Sequence, residues 1–254
     1  MAISLSNVKS GVALVPPMIM VYGTHGVGKT SFAASAPNPI FIQTEDGLGL
    51  IGAPTFGLLK TFEDVMQAIG ALYAEDHTYR TVILDSADHL EVLVWAQAAK
   101  DNGWANIETP GYGRGYVAAL DLWRLVIEGF RALRDDRGMT ICMIAHSQIS
   151  RFDAPDNEPY DRYSPKLHKG ASALLQESMD AVMFANYRIS TVKSDAGFGK
   201  KVTRAVGGGD RVLYTEERPA FLAKQRFNLP PMIPMTWLDF AAGVPALNQT
   251  EIKE

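Results

Sequence analysis

The sequence predicts an α/β fold with a central, mostly parallel sheet, helices on both faces and antiparallel strands at the C-terminal end. Four short apolar runs alternate with helix-like segments, at residues 18–22, 39–44, 81–85 and 140–145. The last third of the chain contains mostly strand-like segments. The whole chain has 254 residues, 47% of them hydrophobic, and can bury one large core. We therefore expect a single domain over residues 1–254, with an arm at 1–15 and a tail at 243–254.

Local signals predict the elements of the first part of the chain. Pro37 ends a short helix over residues 30–36, because proline cannot continue a helix. Thr61, with Asp64 three residues later, is typical of a helix N-terminus, and an apolar helical face follows it. Further helices are expected after the third strand and over residues 117–134, before the fourth strand.

Turn residues and apolar runs predict the remaining elements. Residues 147–170 are polar and contain prolines without an apolar period, which favours a mobile loop. A strand is expected over residues 181–192, and two further strands joined around Gly207-Gly208-Gly209-Asp210 form a predicted hairpin. Residues 221–227 are the last predicted strand, and residues 237–242 a terminal helix.

Composition limits the compartment and the mode of binding. The one cysteine, Cys142, lies in an apolar run, so a disulfide framework is excluded and a reducing cytoplasm is expected. No apolar run is long enough to cross a membrane, and no membrane partner is expected. A net charge of −4 argues against coating nucleic acid by bulk electrostatics. Residues 188–226 carry nine Lys and Arg against four Asp and Glu, which fits either a local nucleic-acid surface or solvated strand faces.

The most specific motif follows the first predicted strand and fits G-x-x-x-x-G-K-[ST], the phosphate-binding P-loop. Its glycines let successive backbone N–H groups point at phosphate oxygens, while Lys29 supplies a positive charge for the β- and γ-phosphates. The hydroxyl of Thr30 can ligate Mg²⁺. We therefore expect ATP and Mg²⁺ as cofactors, and the predicted nucleotide-binding residues are Gly23, Thr24, His25, Gly26, Val27, Gly28, Lys29, Thr30 and Ser31.

Polar residues at the ends of the next strands are candidates for the chemistry of hydrolysis. Asp85 ends the third strand, the usual place for the carboxylate that holds Mg²⁺. Glu45 follows the second strand and is the candidate that orients or deprotonates the attacking water, with Asp46 as the alternative. His146 ends the fourth strand and is the candidate sensor of the γ-phosphate, with Gln148 as the alternative.

Lys224 and Arg226 lie two residues apart on the last predicted strand, so both point to one face of it. Such cations are usually solvated. At the edge of a domain they can instead reach the nucleotide of a neighbouring subunit, as an arginine finger does.

These residues together resemble the core of RecA-type ATPases, over residues 15–230. Within that group the chain is similar to phage-encoded, core-only RecA-like ATPases with AAA domains, some of which are single-strand annealing recombination proteins. The local similarities are Gly111-Tyr112-Gly113-Arg114-Gly115-Tyr116 and Ala223-Lys224-Gln225-Arg226-Phe227. We expect no separate polymerisation domain and no DNA-gathering domain, so a ring or a partner-dependent assembly is an alternative to a filament.

The resemblance implies that two segments line a path for single-stranded DNA, residues 101–116 and 147–170. Aromatic side chains there would stack on bases and cations would contact phosphates. The implied DNA-binding residues are Trp104, Tyr112, Arg114, Tyr116, Arg151, Arg162, Lys166 and Lys169.

The resemblance thus implies a cytoplasmic phage ATPase, stimulated by DNA, that anneals or exchanges single strands as a homo-oligomer, with a single-strand DNA-binding protein as a further partner. Alternatives within the ATPases are a helicase-type or packaging motor. Alternatives of other classes are a nucleotide-gated interaction protein and a small-molecule kinase. The kinase usually needs an arginine-rich lid, whereas residues 147–170 have two Arg among four acidic residues.

Overall fold

A computed structural model describes residues 14–155, 158–188, 190–195, 201–206 and 208–248. The predicted arm up to residue 13, the predicted tail from residue 249 and Gly207 of the predicted hairpin lie outside this range. The described strands are β1 (Met18–Gly23), β2 (Pro39–Gln43), β3 (Thr55–Leu58), β4 (Thr81–Asp85), β5 (Thr140–Phe152), β6 (Tyr160–Pro165), β7 (Ala181–Tyr187), β8 (Ser190–Asp195), β9 (Lys201–Val206), β10 (Arg211–Tyr214), β11 (Lys224–Gln225) and β12 (Met232–Pro234). The described helices are α1 (Lys29–Ala34), α2 (Phe62–Ala74), α3 (Ala87–Asp101), α4 (Arg114–Arg137), α5 (Lys169–Ser178), α6 (Trp237–Ala242) and α7 (Pro245–Asn248).

The central sheet is mostly parallel, as predicted. Its strand order is β12-β10-β7-β1-β5-β4-β2-β3, with parallel pairing from β7 to β3. The strands β10 and β11 pair antiparallel with β7, and β12 pairs antiparallel with β10. The antiparallel strands therefore lie at the C-terminal end of the chain, and the predicted α/β architecture with a mostly parallel central sheet is confirmed.

Helices cover both faces of this sheet. Successive side chains of a strand point to opposite faces, so Met18, Met20 and Tyr22 of β1 pack with α2, α3, α4 and α5. The intervening Ile19 and Val21 pack with α1 and α6 on the other face. Burying both faces of a parallel sheet explains why its strands are continuous apolar runs in the sequence. Within the described residues, no helix has the length and apolar character needed to span a membrane.

The N-terminus of α2 is capped as the sequence predicts. The Thr61 hydroxyl accepts a hydrogen bond from the backbone N–H of Asp64 at 3.1 Å, and the Asp64 carboxylate accepts one from the N–H of Thr61 at 3.1 Å. This reciprocal arrangement satisfies two N–H groups that a helix end leaves unpaired.

The prediction of a mobile loop over residues 147–170 was wrong. The strand β5 continues to Phe152 and pairs antiparallel with β6, from Ser147 opposite Pro165 to Phe152 opposite Tyr160. All side chains of the extension, residues 147–152, are exposed or half-buried, without strict alternation. Without a buried face it has no apolar period, which is why the sequence concealed it.

The strands of the C-terminal region also differ from their predictions. The strands that flank residues 207–210 do not pair with each other, since β9 pairs with β8 and β10 pairs with β7 and β12. The predicted strand at 181–192 is divided into β7 and β8, and the one at 221–227 is reduced to β11. Turn residues indicate where a chain changes direction, and they do not determine which strands pair.

Candidate functional site

The ends of β1, β2 and β4 bring predicted catalytic residues to one edge of the sheet, beside His146 of β5. Contrary to the prediction, His146 does not end its strand but lies where the parallel pairing of β5 with β1 stops. Gly23 lies opposite His146, and Asp85 at the end of β4 lies opposite Gln43, two residues before Glu45. A cavity of about 370 Å³ opens at this edge. It is lined by His25, Gly26, Gly28, Lys29, Thr30, Ser31, Glu45, Gly47, Ile51, Asp85, His146 and Arg211.

The phosphate loop connects β1 to α1 and requires glycine at several positions. Gly28 has φ +100°, a conformation that residues with side chains rarely adopt. A Cβ at Gly23 would lie 2.2 Å from the carbonyl oxygen of Ala185 on β7. The motif therefore depends on glycine for both its turn and its close packing against the sheet.

Lys29 is 5% exposed and points back into the loop. Its Nζ donates hydrogen bonds to the carbonyl oxygens of Gly23 at 3.0 Å and Thr24 at 2.9 Å. Burial lowers the pKa of its ammonium, and the nearby carboxylates, first among them that of Asp85, partly oppose this. The loop thus holds a cation whose present partners are neutral carbonyl groups.

Thr30 and Asp85 form the pair that the sequence predicts as the Mg²⁺ site. The Thr30 hydroxyl donates to Oδ2 of Asp85 at 2.9 Å. Burial raises the pKa of the Asp85 carboxyl, and the hydrogen bond from Thr30 opposes that rise. A hydroxyl and a carboxylate beside a phosphate loop are the oxygen donors that Mg²⁺ prefers, so these residues fit the ion.

Glu45, rather than Asp46, lines the cavity. Its Oε2 accepts a hydrogen bond from the Ser86 hydroxyl at 3.2 Å and lies 3.3 Å from Nδ1 of His89. The Ser86 hydroxyl also lies 2.8 Å from that nitrogen. Asp46 is exposed. Of the two acids that the sequence left open, the geometry favours Glu45.

His146 is buried, and it contacts Asp88 of α3 and His25 of the phosphate loop. Its backbone N–H donates to Oδ1 of Asp88 at 3.0 Å, and its Nδ1 lies 2.9 Å from Oδ2 of the same carboxylate. Burial alone would raise the pKa of Asp88, but the hydrogen bonds with His146 outweigh it and hold that pKa well below its usual range. The ring also stacks on His25, with centroids 3.9 Å apart.

Gln148, the alternative sensor, has other partners. Its amide donates to the carbonyl oxygens of Pro165 and Leu167, across the hairpin of β5 and β6. His146 is therefore the better placed of the two to meet a phosphate.

Three titratable residues at this site were not predicted: Asp88, His89 and Arg211. Asp88 and His89 lie in the first turn of α3. An acid and a histidine are ordinary residues at this position of a helix, so the sequence does not distinguish them. Arg211 begins β10 and reaches the phosphate loop, where its Nη1 would lie 2.7 Å from a Cβ at Gly28. The antiparallel pairing of β10 with β7 brings it there. That pairing is long-range and leaves no signal in the local sequence.

Lys224 and Arg226 lie away from the phosphate loop of their own chain. Lys224 pairs with Val182 near the start of β7, whereas Gly23 pairs with Ala185 farther along that strand. The guanidinium of Arg226 lies 3.2 Å from the Asp180 carboxylate and donates to the carbonyl oxygen of Glu177.

The aromatic residues proposed to contact DNA differ in their exposure to solvent. Tyr112 is 99% exposed, with the Arg114 guanidinium 6.0 Å from its ring centroid. The ring of Tyr116 instead stacks on His168, with centroids 4.3 Å apart, and its hydroxyl donates to Glu108. Trp104 is half-buried. Of the three aromatic side chains, that of Tyr112 is the one fully open to a base.

The cations proposed to contact DNA also divide into two groups. Arg162 is largely buried, lies over the Phe152 ring at 3.8 Å and pairs with Glu217 at 2.7 Å. Lys166 and Lys169 are exposed at the base of the hairpin. Arg151 is exposed and lies 3.8 Å from Asp153.

The chain is similar to known proteins in fold and in sequence. Among solved structures, the chain is similar to the crystal structure of the RadB recombinase, with a TM-score of 0.46, 16% identity, and coverage of 86% of this chain and 90% of that chain. No curated protein sequence gives a match. The family model for the AAA domain matches residues 16–227, which include the phosphate loop, Glu45, Asp85 and His146. The chain therefore belongs to the AAA domain family, and its fold is that of a nucleotide-binding ATPase.

Proposed function

We propose that this protein is a Mg²⁺-dependent ATPase that acts on single-stranded DNA in recombination or replication. The observation that carries the proposal is the convergence of Lys29, the Thr30–Asp85 pair, Glu45 and His146 on one cavity. From the sequence resemblance we extend the proposal to strand annealing or exchange in a phage, by a ring or filament of identical subunits.

In this mechanism the backbone N–H groups of the loop and Lys29 hold the β- and γ-phosphates. Thr30 and Asp85 would hold Mg²⁺, which neutralises charge on the phosphates when bound. Glu45 orients the attacking water and accepts its proton. Since Nδ1 of His146 faces Asp88, its Nε2 is the atom left to hydrogen-bond the γ-phosphate.

Hydrogen bonds and ring contacts connect this sensor with the proposed DNA surface. The carbonyl oxygen of His146 accepts from the N–H of Lys166 at 2.8 Å. Two residues on, the N–H of His168 donates to the Glu91 carboxylate at 3.0 Å, and the His168 ring stacks on Tyr116. Burial raises the pKa of Glu91 to about 7. A shift of His146 towards the γ-phosphate would therefore be transmitted to both DNA-contacting segments.

The function is tested by ATP turnover with and without single-stranded DNA, using Lys29→Ala as the inactive reference. We expect DNA to increase turnover of the parent and Lys29→Ala to retain its fold with almost no activity. Phosphate transfer to a small acceptor would indicate a kinase. Binding of ATP without turnover, with or without DNA, would indicate a nucleotide-gated interaction protein.

The proposed DNA surface predicts a local, salt-dependent interaction. We expect the double variant Lys166→Ala/Lys169→Ala to lose affinity for single strands and to reduce the salt slope by about 1.4 if each lysine contacts a phosphate. The matched control is Lys60→Ala/Arg80→Ala, which removes two exposed cations away from the hairpin. Fluorescence anisotropy over a salt series measures both quantities. Equal affinities for the parent and the Lys166→Ala/Lys169→Ala variant would exclude this surface.

Arg211 predicts a contribution to nucleotide binding from β10. No hydrogen bond or ion pair of its guanidinium is found among the described residues, and the group lies at the loop that would hold phosphates. A charge-assisted hydrogen bond is worth about 1.5–3 kcal/mol, so Arg211→Ala should weaken ATP and ADP binding by roughly tenfold or more. Arg218→Ala, which removes an exposed arginine paired with Glu216, is the control. Parental affinity of Arg211→Ala in calorimetric titrations would contradict the prediction.

A further inference from the structure

Three side chains from three different elements meet beside the proposed Mg²⁺ site. Glu45 follows β2, His89 lies in the first turn of α3, and His146 lies within β5. One ligand atom from each lies within 4.8 Å of the other two. The Oε2 atom of Glu45 is 3.3 Å from Nδ1 of His89 and 3.9 Å from Nδ1 of His146.

The separation of Glu45 and His89 matches neighbouring ligands of a tetrahedral metal ion, and that of Glu45 and His146 is a few tenths of an ångström longer. Zinc bonds of about 2.0–2.2 Å place neighbouring ligand atoms roughly 3.3–3.6 Å apart. A fourth oxygen is close by, because Oδ2 of Asp88 lies 2.9 Å from the His146 nitrogen and 3.6 Å from the His89 nitrogen. Small shifts of side chains would bring all four atoms to bonding distance of one ion.

The chemistry of this set differs from that of the Thr30–Asp85 pair. Imidazole nitrogens with carboxylate oxygens suit Zn²⁺ and related transition metal ions, whereas Mg²⁺ is bound through oxygen. Two carboxylates also balance the charge of a divalent ion. The set is accessible, since the side chains of His89 and Glu45 are 41% and 29% exposed. Asp88 and His146 are buried, and the backbone N–H of His146 donates to Oδ1 of Asp88, which holds this carboxylate beside the set. The hydrogen bond between Nδ1 of His146 and Oδ2 of Asp88 would be replaced by bonds from both atoms to the ion.

We propose that Glu45, His89 and His146, with Asp88 as the fourth ligand, form a binding site for Zn²⁺ or a related transition metal ion. An ion at this position would occupy the Glu45 carboxylate that activates water, and it would bind His146 through Nδ1 rather than through the Nε2 that meets the γ-phosphate. Zinc would therefore inhibit hydrolysis. Metal binding is independent of the proposed function, and only the inhibition rests on it.

Metal binding is tested with Co²⁺, because its visible absorption reports tetrahedral coordination. The titration uses the full chain in excess Mg²⁺ without nucleotide. We expect one Co²⁺ per chain, displaced by Zn²⁺, and an affinity reduced roughly 100-fold in His89→Ala. The matched control is His25→Ala, which also removes an imidazole beside His146 but not one of the four ligands. Circular dichroism checks that both variants are folded.

The absence of one-to-one Co²⁺ binding to the parent would overturn the site, and so would equal weakening by His89→Ala and His25→Ala. The inhibitory half is tested by ATP turnover in excess Mg²⁺, each protein being compared with its own zinc-free rate. Stoichiometric Zn²⁺ should lower parental turnover by at least about tenfold, because it occupies the proposed general base, with much less effect on His89→Ala. Tight binding without inhibition would overturn the regulatory half. Since Co²⁺ binding needs no turnover, an inactive parent would refute the proposed function and not the metal site.

Discussion

Glu45→Gln is expected to bind Mg-ATP with nearly parental affinity and to lower turnover by about 10²–10⁴-fold, the usual contribution of a general base. Glutamine retains an oxygen that can accept from the Ser86 hydroxyl, so the loop after β2 should keep its position. It cannot take a proton from water. Binding is measured with a fluorescent ATP analogue and the chemical step by single-turnover hydrolysis.

The matched control for this prediction is Asp46→Asn. Asp46 is the neighbouring acid, exposed and outside the residues that line the cavity. We expect it to retain most of the parental rate. The opposite ranking of the two variants would make Asp46 the base, and parental rates in both would remove this loop from the chemistry.

The sequence predicted the central part of the fold because local and long-range signals agree there. The strands β1, β4 and the first half of β5 are buried on both faces, which makes them continuous apolar runs. The phosphate loop must follow a strand and precede a helix, which fixed the position of α1 as well. The helix α2 was marked at its start by Thr61 and Asp64, which form the expected capping pair.

The periphery was not predictable in the same way. The extension of β5 pairs with β6 outside the layers of helices, so neither strand has the alternating pattern of a half-buried strand. Around residues 207–210 the glycines indicate a turn, but the strand that follows pairs with β7 across the sheet. Long-range pairing depends on the packing of the whole domain, and no short window of sequence contains it.

The site residues differ in the same way in whether the sequence could predict them. Lys29, Thr30 and Asp85 belong to motifs in which residue type and strand position suffice, and the structure brings them together. Arg211 reaches the cavity from a strand, and His89 contacts Glu45 from a helix, and the sequence did not reveal either placement. Asp88 was missed because an acid in the first turn of a helix is an ordinary capping residue, and only its contacts with His146 distinguish it.

Arg226→Ala is expected to bind ATP but to lose about 10³-fold or more in turnover, if Arg226 acts on the nucleotide of a neighbouring subunit. The side chain of Arg226 is 59% exposed. Arg226 directly follows β11, which pairs with the start of β7, and this part of β7 is distant from the phosphate loop of the same chain. A residue placed there can reach an ATP molecule only across a subunit interface. An arginine that stabilises the charge of the transition state affects rate more than binding. Lys224→Ala should behave in the same way, to a smaller extent.

The trans arrangement is tested by mixing Arg226→Ala subunits with Glu45→Gln subunits, each nearly inactive alone. In a head-to-tail assembly, random mixing at equal concentrations creates an intact interface at about a quarter of positions, where the Arg226 of one subunit meets the Glu45 of its neighbour. We therefore expect recovery to roughly a quarter of the parental rate, with a maximum near the equal mixture. Thermal unfolding of Arg226→Ala checks that loss of the Asp180 ion pair leaves the domain folded. No recovery, in mixtures that native mass spectrometry shows to be co-assembled, would exclude a trans role and favour contacts of both cations with DNA phosphates.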